Sequence, residues 1–123
     1  MLRAFRDGGF DQVLWHIVAL EAALGQKEVA STVNIARRAA ALCADDGLCK
    51  KIRTYYDWRS DFVHGRQVRE PELWEGDLRE IRKATRKIIV RFMGLCQKNP
   101  NWGRAQVLKY LDGVADARRL PKR

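Results

Sequence analysis

Leu78-Arg79-Glu80-Ile81-Arg82-Lys83-Ala84-Thr85-Arg86-Lys87-Ile88-Ile89-Val90-Arg91-Phe92-Met93-Gly94-Leu95 is the run from which the fold can be read. Leu78, Ile81, Thr85, Ile88, Phe92 and Leu95 recur at alternating steps of three and four residues. That is the period of a helix that lays one apolar face into a bundle. Arg79, Arg82, Lys83 and Arg86 fall on the opposite side of the same helix. Upstream, Glu70-Pro71 reads as a helix start with proline at the first helical position. Gly76 interrupts that start, and Asp77 followed by Glu80 forms a capping-box signal, so a short turn is expected before the main helix. Downstream, Asn99-Pro100-Asn101 is a break. Trp102, Ala105, Leu108, Leu111 and Ala115 then suggest a further helix, weakened by Gly103 and Gly113. The tail Arg118–Arg123 is expected to fray.

Three helices are expected before this run. The first spans about Asp11 to Leu24, with Phe10, Val13, Leu14, Ile17, Val18, Leu20 and Leu24 as its apolar stripe and Gly25 as its stop. Glu21 falls on that stripe, where a carboxylate must find a partner or shift its pKa. A structural ion pair is the first reading of Glu21, and a role beside a catalytic site the second. The second helix spans about Glu28 to Ala44, with Val29, Val33, Ala36, Ala40 and Cys43 inward; its small residues imply close approach to neighbours. Asp45-Asp46-Gly47 is a turn with Asp46 as N-cap. The third helix runs from about Leu48 to His64, burying Leu48, Ile52, Tyr55 or Tyr56, and Phe62 or Val63. The fold class is therefore all-α: four helices that make a bundle, plus an additional C-terminal helix.

The chain has 123 residues, enough for one core. No apolar run approaches the roughly 18 residues of a membrane span, and no signal-peptide core is present, so a cytoplasmic protein without a membrane partner is expected. Cys43, Cys49 and Cys96 have no Cys-x2-Cys spacing, and only two histidines accompany them. Disulfide and metal frameworks are disfavoured, and the cysteines read as small core residues plus one partly exposed thiol. The formal net charge of +9 favours polyanions, nucleic acid first.

The end of the third helix, Tyr55-Tyr56-Asp57-Trp58-Arg59-Ser60-Asp61-Phe62-Val63-His64-Gly65, holds a candidate site. On a regular helix, residues five apart are turned by about 140° and raised by about 7.5 Å, so Arg59 and His64 would diverge. Gly65 reads as the C′ residue that ends the helix, which lets His64 bend back alongside the guanidinium. A proton-transfer group beside a permanent cation suits cleavage of an RNA phosphodiester. RNA supplies its own nucleophile, the 2′-hydroxyl, so no metal or cofactor is called for. His64 would act as base or acid, and Arg59 would stabilise charge through a bidentate contact. The competing structural readings are a capping histidine and an Arg59–Glu21 ion pair. His16 reads as a boundary histidine, and Trp58, Trp74 and Trp102 as anchors before base-stacking platforms.

This segment resembles the Arg-x(4–6)-His motif of the HEPN superfamily, and its wording is closest to the Apea-like branch. Leu14-Trp15-His16-Ile17-Val18-Ala19-Leu20-Glu21-Ala22-Ala23-Leu24 is similar to the family's first helix, and Ala36-Arg37-Arg38-Ala39-Ala40 to its second-helix Arg-x-Ala segment. The resemblance covers about residues 10–95. It implies an up-and-down four-helix bundle over 10–98, after a lead-in or linker end at 1–9 and before a helical extension and basic tail at 99–123. It also implies a metal-independent endoribonuclease, of the kind used as a toxin or defence effector, that leaves a 2′,3′-cyclic phosphate. In such nucleases two motifs meet across a homodimer interface, here expected near the end of the third helix with Tyr55, Tyr56 and Trp58 flanking it. A non-catalytic member would bind RNA or nucleotide, or only dimerise. Nuclease members usually carry Asn, Asp or His directly after the motif arginine, whereas this chain has Ser60, as Apea-like members commonly do. Whether a further N-terminal domain or an antitoxin partner exists stays open. Arg66 and Arg69 in the following loop, with Arg79, Arg82, Lys83 and Arg86, make a candidate RNA track, to be weighed against an ordinary solvated face.

Overall fold

The computed structural model describes residues 15–26, 32–63 and 71–122, with side chains throughout except at 58–63 and 71–77. All regular structure in these residues is α-helical. Helix α1 covers residues 15–24. It is followed by α2 (Thr32–Cys43), α3 (Gly47–Val63), α4 (Pro71–Lys98) and α5 (Arg104–Ala117).

Helix α2 is the centre of the bundle and packs against α3, α5 and α4. Its run of alanines makes this possible. Ala36, Ala39 and Ala40 are fully buried, and with no side chain beyond Cβ they let neighbouring backbones approach closely. Residues 35–41 are buried without interruption, as expected of a helix enclosed on all sides. That run includes Arg37 and Arg38, which become tolerable there only through partners. Arg38 is 2% exposed, and its guanidinium is held on three sides. Its Nε and Nη2 donate to the two carboxylate oxygens of Asp112 on α5 at 2.7 and 2.9 Å. Nη1 donates to the Leu24 carbonyl at 2.7 Å, and Nη2 also reaches Gln26 Oε1 at 3.0 Å. Arg37 donates to Asp116 Oδ1, one turn further along α5, at 2.6 Å. Asp112 and Asp116 are four apart, so they share one face of α5 and together take both arginines.

The same contacts terminate α1. The last carbonyls of a helix lack intrahelical partners and carry the negative end of its dipole. Arg38 takes that of Leu24, and Arg104 Nη2 reaches those of Ala22 at 2.9 Å, Glu21 at 3.4 Å and Gly25. Gly25 stops the helix as expected, but through close approach: a Cβ there would lie 2.6 Å from the Glu21 carbonyl oxygen.

Two helix ends share another device. Ala44 and Arg119 adopt left-handed φ of 52° and 56° after α2 and α5. Asp45 N–H then bonds Ala40 O at 3.0 Å and Leu120 N–H bonds Ala115 O at 3.1 Å, the six-to-one bond of a Schellman motif. Leu120 carries the hydrophobic contact of that motif and is 6% exposed. The tail is thus tied down rather than frayed: Arg118 Nε donates to Asp46 Oδ1 at 2.7 Å, and Lys122 lies 3.7 Å from Asp116. Asp46, expected as the N-cap of α3, spends a carboxylate oxygen on that contact.

Several expectations are corrected. Gly76 does not divide α4, which runs unbroken for 28 residues. One helical glycine costs about 1 kcal/mol, little against the long seam that follows it. That seam matches the periodicity: Leu78, Ile81, Thr85 and Ile88 are buried, with Phe92 and Leu95 packed beside them. Val18, assigned to the inner stripe of α1, is 52% exposed; Ile17, Leu20 and Leu24 form the buried face. Ala105 is exposed, and Val107 takes the inward place on α5 beside Leu108, Leu111 and Ala115. Far from being an appendage, α5 supplies this part of the common core. Tyr55 and Tyr56, of which one is expected inside, are both buried. Cys43 and Cys49 are buried free thiols and Cys96 is half-buried; burial pushes the first two above the ordinary thiol pKa. Residues 1–14 and 64–70, with the expected linker end and polar loop, lie outside the described residues.

Two tests follow from the packing. Arg38 is buried although Asp112 is half-exposed, so removing the carboxylate strands the guanidinium, and Asp112→Ala should lower the unfolding free energy by about 3 kcal/mol. The double replacement Arg38→Met, Asp112→Leu should recover most of that loss in urea titrations. Asp112→Ala within about 0.5 kcal/mol of the parent would show that the pair does not secure α5. Thr85 Oγ1 is buried with no hydrogen-bond partner among the described residues. Thr85→Val should therefore stabilise by about 1 kcal/mol, and a loss of stability would reveal a partner for the hydroxyl.

Candidate nucleic-acid interface

The outer face of α4 carries a row of positive charge. Arg79, Arg82, Lys83, Arg86, Lys87 and Arg91, with Val90 among them, line one shallow groove. All seven are exposed. Their placement is dictated by the buried seam, because residues opposite Leu78, Ile81, Thr85 and Ile88 must face outward on a 3.6-residue repeat. None of the six cations forms an ion pair among the described residues. Arg82 Nε turns back to the Leu78 carbonyl at 3.3 Å. Glu80, on the same helix, is engaged by Lys51 of α3 at 3.6 Å. From Arg79 to Arg91 the groove extends about 18 Å along the helix axis.

The sequence had marked Arg79, Arg82, Lys83 and Arg86 as this stripe. It missed Lys87 and Arg91, although both continue the same face at the four-residue spacing from Lys83. The remaining site residues stand as follows. Arg59 and Ser60 lie in the last turns of α3, and their side chains fall outside the described residues. His64, Arg66 and Arg69 also lie outside the described residues. Glu21 is half-buried on α1, and Tyr56 of α3 donates its hydroxyl to Glu21 Oε1 at 3.3 Å. Arg59 follows Tyr56 by one helical turn, so α3 approaches α1 in the segment that leads into the motif.

His16 belongs to the margin of this interface. It is half-buried on α1; burial and the Arg82 guanidinium together hold its imidazole below the usual histidine pKa. Trp15, beside it in the chain, is 71% exposed. Trp102, by contrast, is half-buried at the start of α5, its ring 5.4 Å from that of Tyr110. The side chains of Trp58 and Trp74 fall outside the described residues.

No helix of the described residues is long and apolar enough to cross a membrane. No protein-family model matches the chain, and no curated protein or solved structure shows significant similarity to it. The functional reading therefore rests on the chain's own residues.

The position of His16 can be checked directly. Its folded-state pKa is depressed, so the folded protein binds this proton less readily than the unfolded chain. The stability contribution is intact above the unfolded value near 6.5 and is lost as pH falls through the folded value. An NMR titration should place His16 below that value, and Arg82→Gln should raise it part of the way back. No movement in the variant would separate His16 from the groove.

Proposed function

We propose that this protein is a HEPN-like RNA-binding domain that cleaves single-stranded RNA without a metal ion. The observation that carries the binding half is the exposed α4 groove, whose six cations form no ion pair among the described residues. A polyanion with one charge every few ångströms satisfies such a row, releasing counterions as it binds. The cleavage half rests on the motif at the end of α3. Arg59 would hold the scissile phosphate and stabilise its developing charge. His64 would take the 2′-hydroxyl proton or supply one to the departing 5′-oxygen, and Ser60 would orient the phosphate. One histidine does not readily fill both proton roles, so the reading includes a homodimer in which two motifs share a cleft. Products are a 2′,3′-cyclic phosphate and a 5′-hydroxyl.

A second reading has its own support. The Glu21 carboxylate accepts the hydroxyl of the buried Tyr56, a contact that serves packing between α1 and α3. An Arg59–Glu21 ion pair on the same carboxylate would favour a module that binds RNA or nucleotide, or dimerises, without turnover.

Incubation of the purified protein with structured and unstructured RNA in EDTA tests the first reading. Cleavage should persist and leave cyclic phosphate ends, and a 2′-deoxy substitution at the scissile position should block it. His64→Ala should reduce the rate by roughly 10²–10⁴ with RNA affinity nearly intact. Arg59→Ala should reduce both, because a guanidinium contacts phosphate in ground and transition states alike. Replacing Arg79, Arg82 and Arg86 by Glu should weaken binding and flatten its log–log salt slope by about 0.7 per lost contact. Cleavage that stops in EDTA, or proceeds unchanged in His64→Ala, would defeat the nuclease reading. Binding without cleavage by the parent would leave the second reading standing.

A further inference from the structure

The cationic groove does not end at Arg91. Val90 and Arg91 also line a second cavity of about 240 Å³, set between α2, α4 and α5. Its floor is apolar, formed by Leu42, Leu95, Leu111 and Val114, while Lys98 joins Arg91 at the rim. Tyr110 forms one wall and is 47% exposed, its ring already tilted against Trp102. Two features stand out physically. An aromatic ring and Val90, 61% exposed, are left in water beside an apolar floor. Gly94 occupies the interior of a long helix where alanine would be preferred, and a Cβ built there meets nothing within 4 Å. The space over Gly94 is therefore open, and no packing contact of the described residues requires a glycine.

We propose that this cavity is a base-binding subsite at the end of the RNA track. One unpaired base enters over Gly94, stacks on Tyr110 and covers the apolar floor, while Arg91 and Lys98 take the flanking phosphates. The inference rests on the RNA-binding reading above and adds a substrate class to it, a single strand with at least one base free of pairing. Size, charge and continuity select this occupant. The cavity is smaller than the roughly 300–1,000 Å³ of sites for drug-sized ligands. Both rim side chains are cationic, and neither forms an ion pair among the described residues. The phosphate track leads into it through residues common to both surfaces. A duplex would keep its bases stacked and could use only the track.

Fluorescence anisotropy with a labelled ten-nucleotide oligoadenylate and a blunt RNA duplex of the same length provides the test. Gly94→Leu fills the open space and improves helix propensity, so its fold should survive, as circular dichroism will show. Gly94→Leu and Tyr110→Ala should each weaken single-strand binding by about 5- to 150-fold, the range for loss of one base stack. Their salt slopes should stay parental, since no phosphate contact is lost, and duplex binding should not change. Tyr110→Phe keeps the ring and should bind like the parent. Two failures are distinguishable. If the parent binds neither RNA, the RNA reading and this subsite fall together. If the parent binds the single strand and the triple Glu variant loses it, while folded Gly94→Leu and Tyr110→Ala bind as tightly as the parent, only the subsite is overturned. Equal losses for duplex and single strand would also overturn it.

Discussion

The rest of the fold depends on the burial of Arg38. A guanidinium that is 2% exposed cannot be left without acceptors, and its partners come from two segments far apart in the chain, the end of α1 and α5. Asp112 supplies a bidentate carboxylate from α5, Leu24 a carbonyl from the end of α1, and Gln26 an amide oxygen from the link beyond it. Satisfying one side chain thus sets the position of α5 against α2 and of α1 against both. A purely apolar contact could slide by a residue at modest cost. A planar fork with directional donors cannot, so the pair contributes register even where its net energy is small.

That constraint positions the candidate interface indirectly. With α5 and α1 held on α2, the seam of α4 has one remaining way to bury Leu78, Ile81, Thr85 and Ile88. Once those are inside, the helical repeat forces Arg79, Arg82, Lys83, Arg86, Lys87 and Arg91 to the surface. The concentration of cations on one face is then a by-product of core packing, and it is the feature on which the proposed RNA binding rests. Among the described residues, no carboxylate forms an ion pair with these cations. The two described ion pairs of the buried arginines draw on Asp112 and Asp116, and Asp46 and Glu80 are engaged elsewhere. Among the described residues, these four carboxylates are engaged away from the α4 groove.

The same arithmetic explains the pH behaviour expected of the scaffold. Arg37 donates a hydrogen bond to Asp116 and, with Lys122 nearby, holds that carboxyl below the usual aspartate range. Its stabilising share is complete above the unfolded aspartate pKa and fades as pH drops through the lower folded value. For His16, burial and Arg82 both oppose the imidazolium, so its share is complete above the unfolded histidine value and fades as pH drops through the lower folded one.

By itself, the sequence determined the all-helical class, the breaks at Asp45–Gly47 and Asn99–Asn101, the seam of α4 and four cations of its outer face. These are local properties: a 3.6-residue repeat and a turn-forming dipeptide act over a few residues and can be read wherever they occur. It also determined the Arg59–His64 spacing on which the proposed chemistry rests. Only the tertiary structure decided that Arg37 and Arg38 face inward, since an arginine in an alanine-rich helix looks like a solvent-facing residue until a carboxylate is brought to it. The clue was present in the four-residue spacing of Asp112 and Asp116, but nothing local connects positions separated by more than seventy residues. Tertiary packing likewise turned Val18 outward, buried both Tyr55 and Tyr56, and fastened the tail through Leu120 and Arg118. It also placed Tyr110, Gly94 and Lys98 around one cavity. Each depends on which helices are neighbours, and that choice is made by long-range burial and pairing energies to which periodicity along one helix is blind.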